Sequence, residues 1–539
     1  MLLAFKKNKW IQSFLIVILL FLLINLFFLP LFNSGDDVFL MYTLGGGYGE
    51  APSHLLHYNH IWHPLLGWIV KTLFISFPTI NWYTLFLMIL QVFGCATILY
   101  VFLRRFQWII AFGLFMILFV FFEARILLSL NFTATSWILA TGGYVLLLQE
   151  SIVDKKNFNI LISCILVFVA GLLRLHILFC VTILFLPAFF FYARRRFQIW
   201  VPVILFICAS LFLLNLEHKS FYRKNIPGWQ TEEKIRQTLF SGYNRPLHHD
   251  KQVNQVFGDS VKRAFYFNYF FYDTNFISFE KTKQIIKSLI RYRDFSVKED
   301  KQVLYWSFME LRVYFLLFII IFFLLWTQNL LKKIVQRWIP TSVLIFAIYG
   351  YLFLFFKMTE PIHLGVLTLL WIFLCFAIPG EKIQTILQRK SFRYSALLLI
   401  LPFSWMTVRI IKKDSINQKK HQRFECVTAE LRNNQDKLFI TTDDALPLDY
   451  FYIWDSPAQY QLPNLIYKDR VINNCYKPTL QRFNVTDIMR AIYQKENVFL
   501  LGRDFPELKN YYKIQERTDV IISSRLSNYK CLEVRKVSH

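Results

Sequence analysis

Ile11-Gln-Ser-Phe-Leu-Ile-Val-Ile-Leu-Leu-Phe-Leu-Leu-Ile-Asn-Leu-Phe-Phe-Leu-Pro-Leu31, followed by Asn33-Ser-Gly-Asp-Asp-Val38, decides how this chain is read. The first stretch is apolar over the length a bilayer requires and stands behind Lys6, Lys7 and Lys9. It lacks a small-residue cleavage site, so it reads as a retained span with a cytoplasmic N-terminus. The second stretch places two adjacent carboxylates, Asp36 and Asp37, where the backbone leaves that span.

Working outward, the composition agrees with a membrane protein. Of 539 residues, 55% are apolar and 58 are Phe, and the mean hydropathy is +0.40. Repeated apolar runs exclude an ordinary soluble protein. The net charge of +25 does not argue for nucleic acid, because much of the Lys and Arg lies in short loops between apolar runs, where membrane orientation explains it. Cys95, Cys164, Cys180, Cys208 and Cys375 fall in apolar runs without metal spacing. Cys426, Cys475 and Cys531 fall in soluble-type sequence, where two of the three can form a disulfide.

Apolar runs at roughly 11 to 31, 82 to 103, 106 to 122, 126 to 148, 158 to 173, 175 to 192, 198 to 216, 312 to 330, 338 to 356, 362 to 379 and 394 to 411 predict about eleven spans. The stretch Ile61 to Phe77, with His63, Pro64 and Lys71, is predicted to be interfacial or re-entrant. With that choice Arg104, Arg105, Lys155, Lys156 and Arg194 to Arg196 join the N-terminal lysines inside, as the positive-inside tendency requires. Were the stretch to cross, the bias would invert. The outer side then receives a loop at 33–81, a long connection at 217–311 with Phe265-Tyr-Phe-Asn-Tyr-Phe-Phe-Tyr272 suited to the membrane interface, and everything after Lys412.

The expected fold is therefore an α-helical polytopic membrane protein with interfacial helices and a small α/β C-terminal soluble domain, divided into 1–411 and 412–539. Leu438-Phe-Ile-Thr441 and Asn497-Val-Phe-Leu-Leu501 predict strands, and Thr486-Asp487 predicts a helix start between them.

Asp36 and Asp37 are the candidate catalytic residues. A positioned carboxylate accepts a proton from a hydroxyl nucleophile, although Asp36 as a helix N-cap explains the pair structurally. Leu44-Gly-Gly-Gly-Tyr-Gly49 is a tight turn rather than a phosphate loop, and Glu50 follows it. His54, His57, His60 and His63 recur every third residue. On one helix successive members rotate by about 60° backward, so the set fits interfacial or structural roles, or polar contacts to a substrate, better than one metal ion. Arg174 and His176 in Gly171-Leu-Leu-Arg-Leu-His176 separate two apolar runs. There Arg174 either binds a lipid phosphate, snorkels or pairs with an acid such as Glu123. Lys357, Glu360 and His363 form a second polar break, and Tyr243, Arg245 and His248 lie in a polar cluster of the long connection. Each of these also has a bland reading as a solvated loop. No Ser-His-Asp elbow, zinc signature or nucleotide loop occurs, and no cofactor or metal is implied.

On Gly35-Asp36-Asp37, the region from His54 to Phe77, the many spans and the domain after Lys412, the chain resembles the GT-C superfamily of polytopic glycosyltransferases. His63-Pro64-Leu65-Leu66-Gly67-Trp68 is similar to the Pro-Leu-x-x-Trp stretch of some members. The Asp-Glu pair and Lys-Pro-Pro-Leu form of the aminoarabinose transferases are missing, so their substrate is not carried over. The resemblance implies transfer of a sugar from a polyprenyl-phosphate donor to a hydroxyl acceptor on a glycan, lipid or protein. It implies inversion, with the first-loop acid as base or orienting group, at the outer face of a bacterial cytoplasmic membrane in cell-envelope polysaccharide or glycoconjugate synthesis. Membrane lipids are the other expected partner, and nucleic acid is not. The alternative is a transporter or flippase for a lipid-linked glycan.

Overall fold

In lipid an apolar segment satisfies its own backbone only as a helix, and the described part of this chain is mainly helical. The computed structural model describes residues 8–49, 51–54, 62–153, 157–225, 261, 265, 312–326, 331–355, 360–378, 397–442, 450–467, 476–502 and 505–538. Among them six helices are long and apolar enough to cross a membrane: Lys9–Phe27, Trp82–Arg105, Trp108–Leu127, Leu175–Tyr192, Arg194–Lys224 and Glu360–Ala377. Leu19, Leu22 and Leu26 of the first are exposed along one helix, which suits a lipid-facing surface. Asn157–Leu173, Arg312–Trp326 and Trp338–Gly350 are apolar but shorter. Phe132–Ile152 is long but rich in Thr, Ser and Gly, and it is buried almost throughout.

The chain falls into two compact units. One comprises Met1–Asn33, Thr84–Glu217 and Val297–Asn417; the other comprises Ser34–Tyr83, His218–Ser296 and Gln418–His539. The segment Ser34–Tyr83 thus groups with the C-terminal sequence.

The membrane-type unit relies on close backbone approach. A Cβ on Gly142 would lie 2.7 Å from the Gly94 carbonyl oxygen, and one on Gly94 would lie 2.8 Å from that of Ile138, so small residues let Trp82–Arg105 and Phe132–Ile152 touch. Glu150, fully buried, pairs with Arg104 and accepts from Asn159 Nδ2 at 2.7 Å. The expected break at 123 to 125 is not a break: the helix continues to Leu127 through a π-turn at Phe119–Glu123. It ends instead where Leu31–Phe32 pairs in parallel with Ser129–Leu130. Asp414 Oδ1 accepts from Leu29 N at 2.6 Å, and Asn417 Nδ2 donates to Leu29 O and Leu128 O. The 34-residue helix Ile400–Asn433 carrying these side chains runs through position 412 without interruption.

The other unit contains a four-stranded sheet in the order Leu465–Ile466, Leu438–Thr441, Val498–Leu501, Val534–Arg535. The first three strands are parallel and the last antiparallel. Leu438, Ile440, Val498 and Leu500 are buried against Ile488, Ile492, Leu508 and Tyr512. Asp487 caps Ile488–Gln494 by accepting from Arg490 N at 3.1 Å, the helix start its sequence predicts. Cys426 and Cys531 form a disulfide with Cα atoms 6.0 Å apart. Beside it Glu430 accepts the backbone N–H groups of Lys530, Cys531 and Leu532. Cys475 lies outside the described residues.

Candidate functional site

Ser34-Gly-Asp-Asp37 starts the helix Gly35–Gly45, and the N-cap is Ser34 rather than Asp36. Gly35 is the first helical residue, which puts both acids in the first turn, where the helix dipole favours negative charge. The two acids then diverge. Asp37 is fully buried, and its Oδ2 accepts from the Ser34 hydroxyl at 2.7 Å while its Oδ1 accepts from the Tyr83 phenol at 2.8 Å. Asp36 is half-exposed and has neither of these bonds. One carboxyl is fixed by its donors, and its neighbour is left accessible to a solute.

Trp62, also fully buried, stacks on Tyr83 with ring centroids 5.1 Å apart. The helix Pro64–Ser76 then begins with His63 as its cap, Nδ1 accepting from Leu65 N. At 13 residues this helix is about 20 Å long, short of the roughly 30 Å hydrocarbon core. Gly46 closes the acid helix in the left-handed conformation at φ 74°. Asn81 Nδ2 donates to the carbonyls of Ile453 and Asp455 and meets Met41 Sδ, which holds the 450–460 segment beside the same helix.

His54 lies in irregular backbone and His63 in extended backbone at a cap, so neither of these two is on a helix. His54 stands 6.2 Å from the Phe221 ring, while His63 stands 5.7 Å from His218, which stacks on Tyr222. Burial, reinforced by Lys71, holds the His54 imidazole below its usual pKa, so it is a neutral polar contact near pH 7. His57, His60 and Glu50 lie outside the described residues, as do Tyr243, Arg245, His248 and Lys357.

The remaining candidates belong to the other unit. Arg174 occupies the break between Asn157–Leu173 and Leu175–Tyr192, donates to the Thr133 hydroxyl and lies 5.0 Å over the Phe132 ring. Glu123 is not its counter-ion: that residue is fully buried and its carboxyl meets the Cys95 thiol. His176 is exposed. Glu360 pairs with Arg125, and His363 Nδ1 meets the Tyr349 hydroxyl.

The sequence reading missed Tyr83 and Trp62. No local signal marks a phenol 46 residues from the acid it holds. A signal for Ser34 was present, since a hydroxyl three residues before an acid is a helix-start pattern. Cys426, Glu430 and Cys531 bring three metal-type ligand atoms within 4.8 Å, but the disulfide and the three backbone bonds to Glu430 already engage them.

The fold and site define a helical membrane protein with a fixed acid and an accessible acid at one helix start. Comparison with family models, curated proteins and solved structures found no match.

Proposed function

We propose that this protein is a membrane glycosyltransferase of the GT-C type, moving a sugar from a polyprenyl-phosphate donor to a hydroxyl acceptor at the outer face of the cell membrane. The observation that carries the reading is the division of labour between adjacent carboxylates: Asp37 is buried between Ser34 and Tyr83, and Asp36 is left accessible. A base must reach the proton it removes, so Asp36 takes the acceptor proton and Asp37 fixes the turn that presents it. The hydroxyl oxygen attacks the anomeric carbon as its proton passes to Asp36. The carbon–oxygen bond to phosphate breaks with inversion, and the electron pair leaves on the polyprenyl phosphate. The Cys426–Cys531 disulfide supports an oxidising, extracytoplasmic side for its unit, in keeping with an eleven-span topology.

A transport reading has one observation in its favour. Glu123 is fully buried in a candidate span, and intramembrane carboxyls often mark ion or substrate pathways. Both readings are tested by reconstituting the full chain in vesicles with polyprenyl-phosphate sugars and acceptors. Transfer that depends on Asp36 supports the enzyme; translocation of lipid-linked glycan without transfer supports the transporter.

A further inference from the structure

Tyr450-Phe-Tyr-Ile-Trp-Asp455 alternates accessible and buried side chains. Phe451 and Ile453 have no exposed surface, whereas Tyr450, Tyr452 and Asp455 are half-buried and Trp454 is 36% exposed. The buried members are pinned. Phe451 meets the rings of Tyr42, Phe424 and Tyr460 at 5.8, 5.4 and 5.5 Å, and Asn81 holds the carbonyls of Ile453 and Asp455. Tyr42 donates to Tyr460 O at 2.8 Å, and the Ser456 hydroxyl donates to Pro78 O. A segment tied at so many points presents its outward side chains with little conformational cost on binding.

Tyr450, Tyr452 and Asp455 stand beside charged groups of the helix Ile400–Asn433, and Trp454 lies between the last two in sequence. His421 lies 6.0 Å from the Tyr452 ring, with Nδ1 at 3.3 Å from Tyr450 O and Nε2 at 3.5 Å from Glu425. Lys420 Nζ stands 4.4 Å over the Tyr450 ring. The Asp455 carboxyl accepts from the Tyr460 phenol; burial pushes its pKa up, while His421 pulls it back. The rim therefore combines aromatic faces with two acids, an imidazole and an ammonium.

This combination selects among ligand classes. An anion such as phosphate would approach Asp455 and Glu425, which repel it. An apolar chain would leave four charged or polar groups without use. A sugar ring offers hydroxyls that both donate and accept, and a C–H face that packs on an aromatic ring. We propose that Tyr452, Trp454, Asp455 and His421 form a binding site for an uncharged pyranose unit of a glycan. The proposal concerns binding alone and stands whether or not Asp36 catalyses transfer.

The test is saturation-transfer NMR on the full chain in lipid nanodiscs, with methyl glycosides of glucose, galactose, mannose, rhamnose and N-acetylglucosamine as probes. Ring protons of at least one glycoside should receive saturation, and Trp454→Ala or Asp455→Asn should weaken its binding about tenfold. The exposed surface change Ile514→Ala should bind as wild type. Variants are compared at unchanged thermal midpoint. Absence of saturation for every glycoside on the wild-type protein overturns the proposal. So does equal binding by Trp454→Ala and Asp455→Asn, or displacement of the glycoside by inorganic phosphate.

Discussion

The two units of this protein hold themselves together by different means. In the membrane-type unit helices touch through glycine, with Gly142 against the Gly94 carbonyl and Gly365 beneath the Trp137 ring. In the other unit the sheet core, aromatic clusters and a disulfide do the work. The difference follows from the solvent. Lipid tails are as apolar as leucine, so helices there gain little from burying leucine and depend on close fit. Where water is the alternative, burying apolar side chains is itself favourable.

That contrast sets an order of sensitivity. Gly142→Leu should have the largest effect, because even its Cβ would lie 2.7 Å from backbone rather than from a movable side chain. We expect destabilisation on the order of 3 kcal/mol or more, seen as loss of monodisperse protein on size exclusion in detergent. Intact behaviour would break the close-fit account. Next, Cys426→Ser with Cys531→Ser should lower the stability of the sheet-containing unit by about 2–4 kcal/mol, read by thermal unfolding, with reductant reproducing the shift in the wild type. Smaller still, Tyr83→Phe removes the phenol donor to the buried Asp37 carboxyl and should cost about 1–2 kcal/mol. A Tyr83→Phe protein as stable as wild type would show that this bond does not fix the acid.

Two of the four strands of the sheet, and one helix start beside it, were legible in sequence. Strands at Leu438–Thr441 and Val498–Leu501 and the Asp487 cap lie where period and capping chemistry put them. Helix ends in the apolar part were less legible. Glu123-Ala-Arg125 reads as a polar break, yet a π-turn turns Glu123 inward and the helix goes on. The soluble-looking sequence after Lys412 continues a helix, because Lys, Asn and Gln are acceptable helix formers that give no stop signal. At the site, the acids were visible as a local pattern, while the cap was placed at Asp36 two residues beyond Ser34. Tyr83, Trp62 and Asn81 were not visible, since their roles exist only once distant segments meet. Neither His54 nor His63 lies in a helix, so the interval between these two fixes no common face.

In the proposed mechanism Asp36 is the reacting carboxyl and Asp37 the one that holds the turn. The most direct test is the initial rate of sugar transfer from a polyprenyl-phosphate donor by reconstituted Asp36→Asn, compared with wild type at equal folded protein. Loss of about 10²- to 10⁴-fold in kcat, with an unchanged thermal midpoint, is the expected result for removal of a general base. Asp36→Asn transferring sugar at the wild-type rate would contradict it.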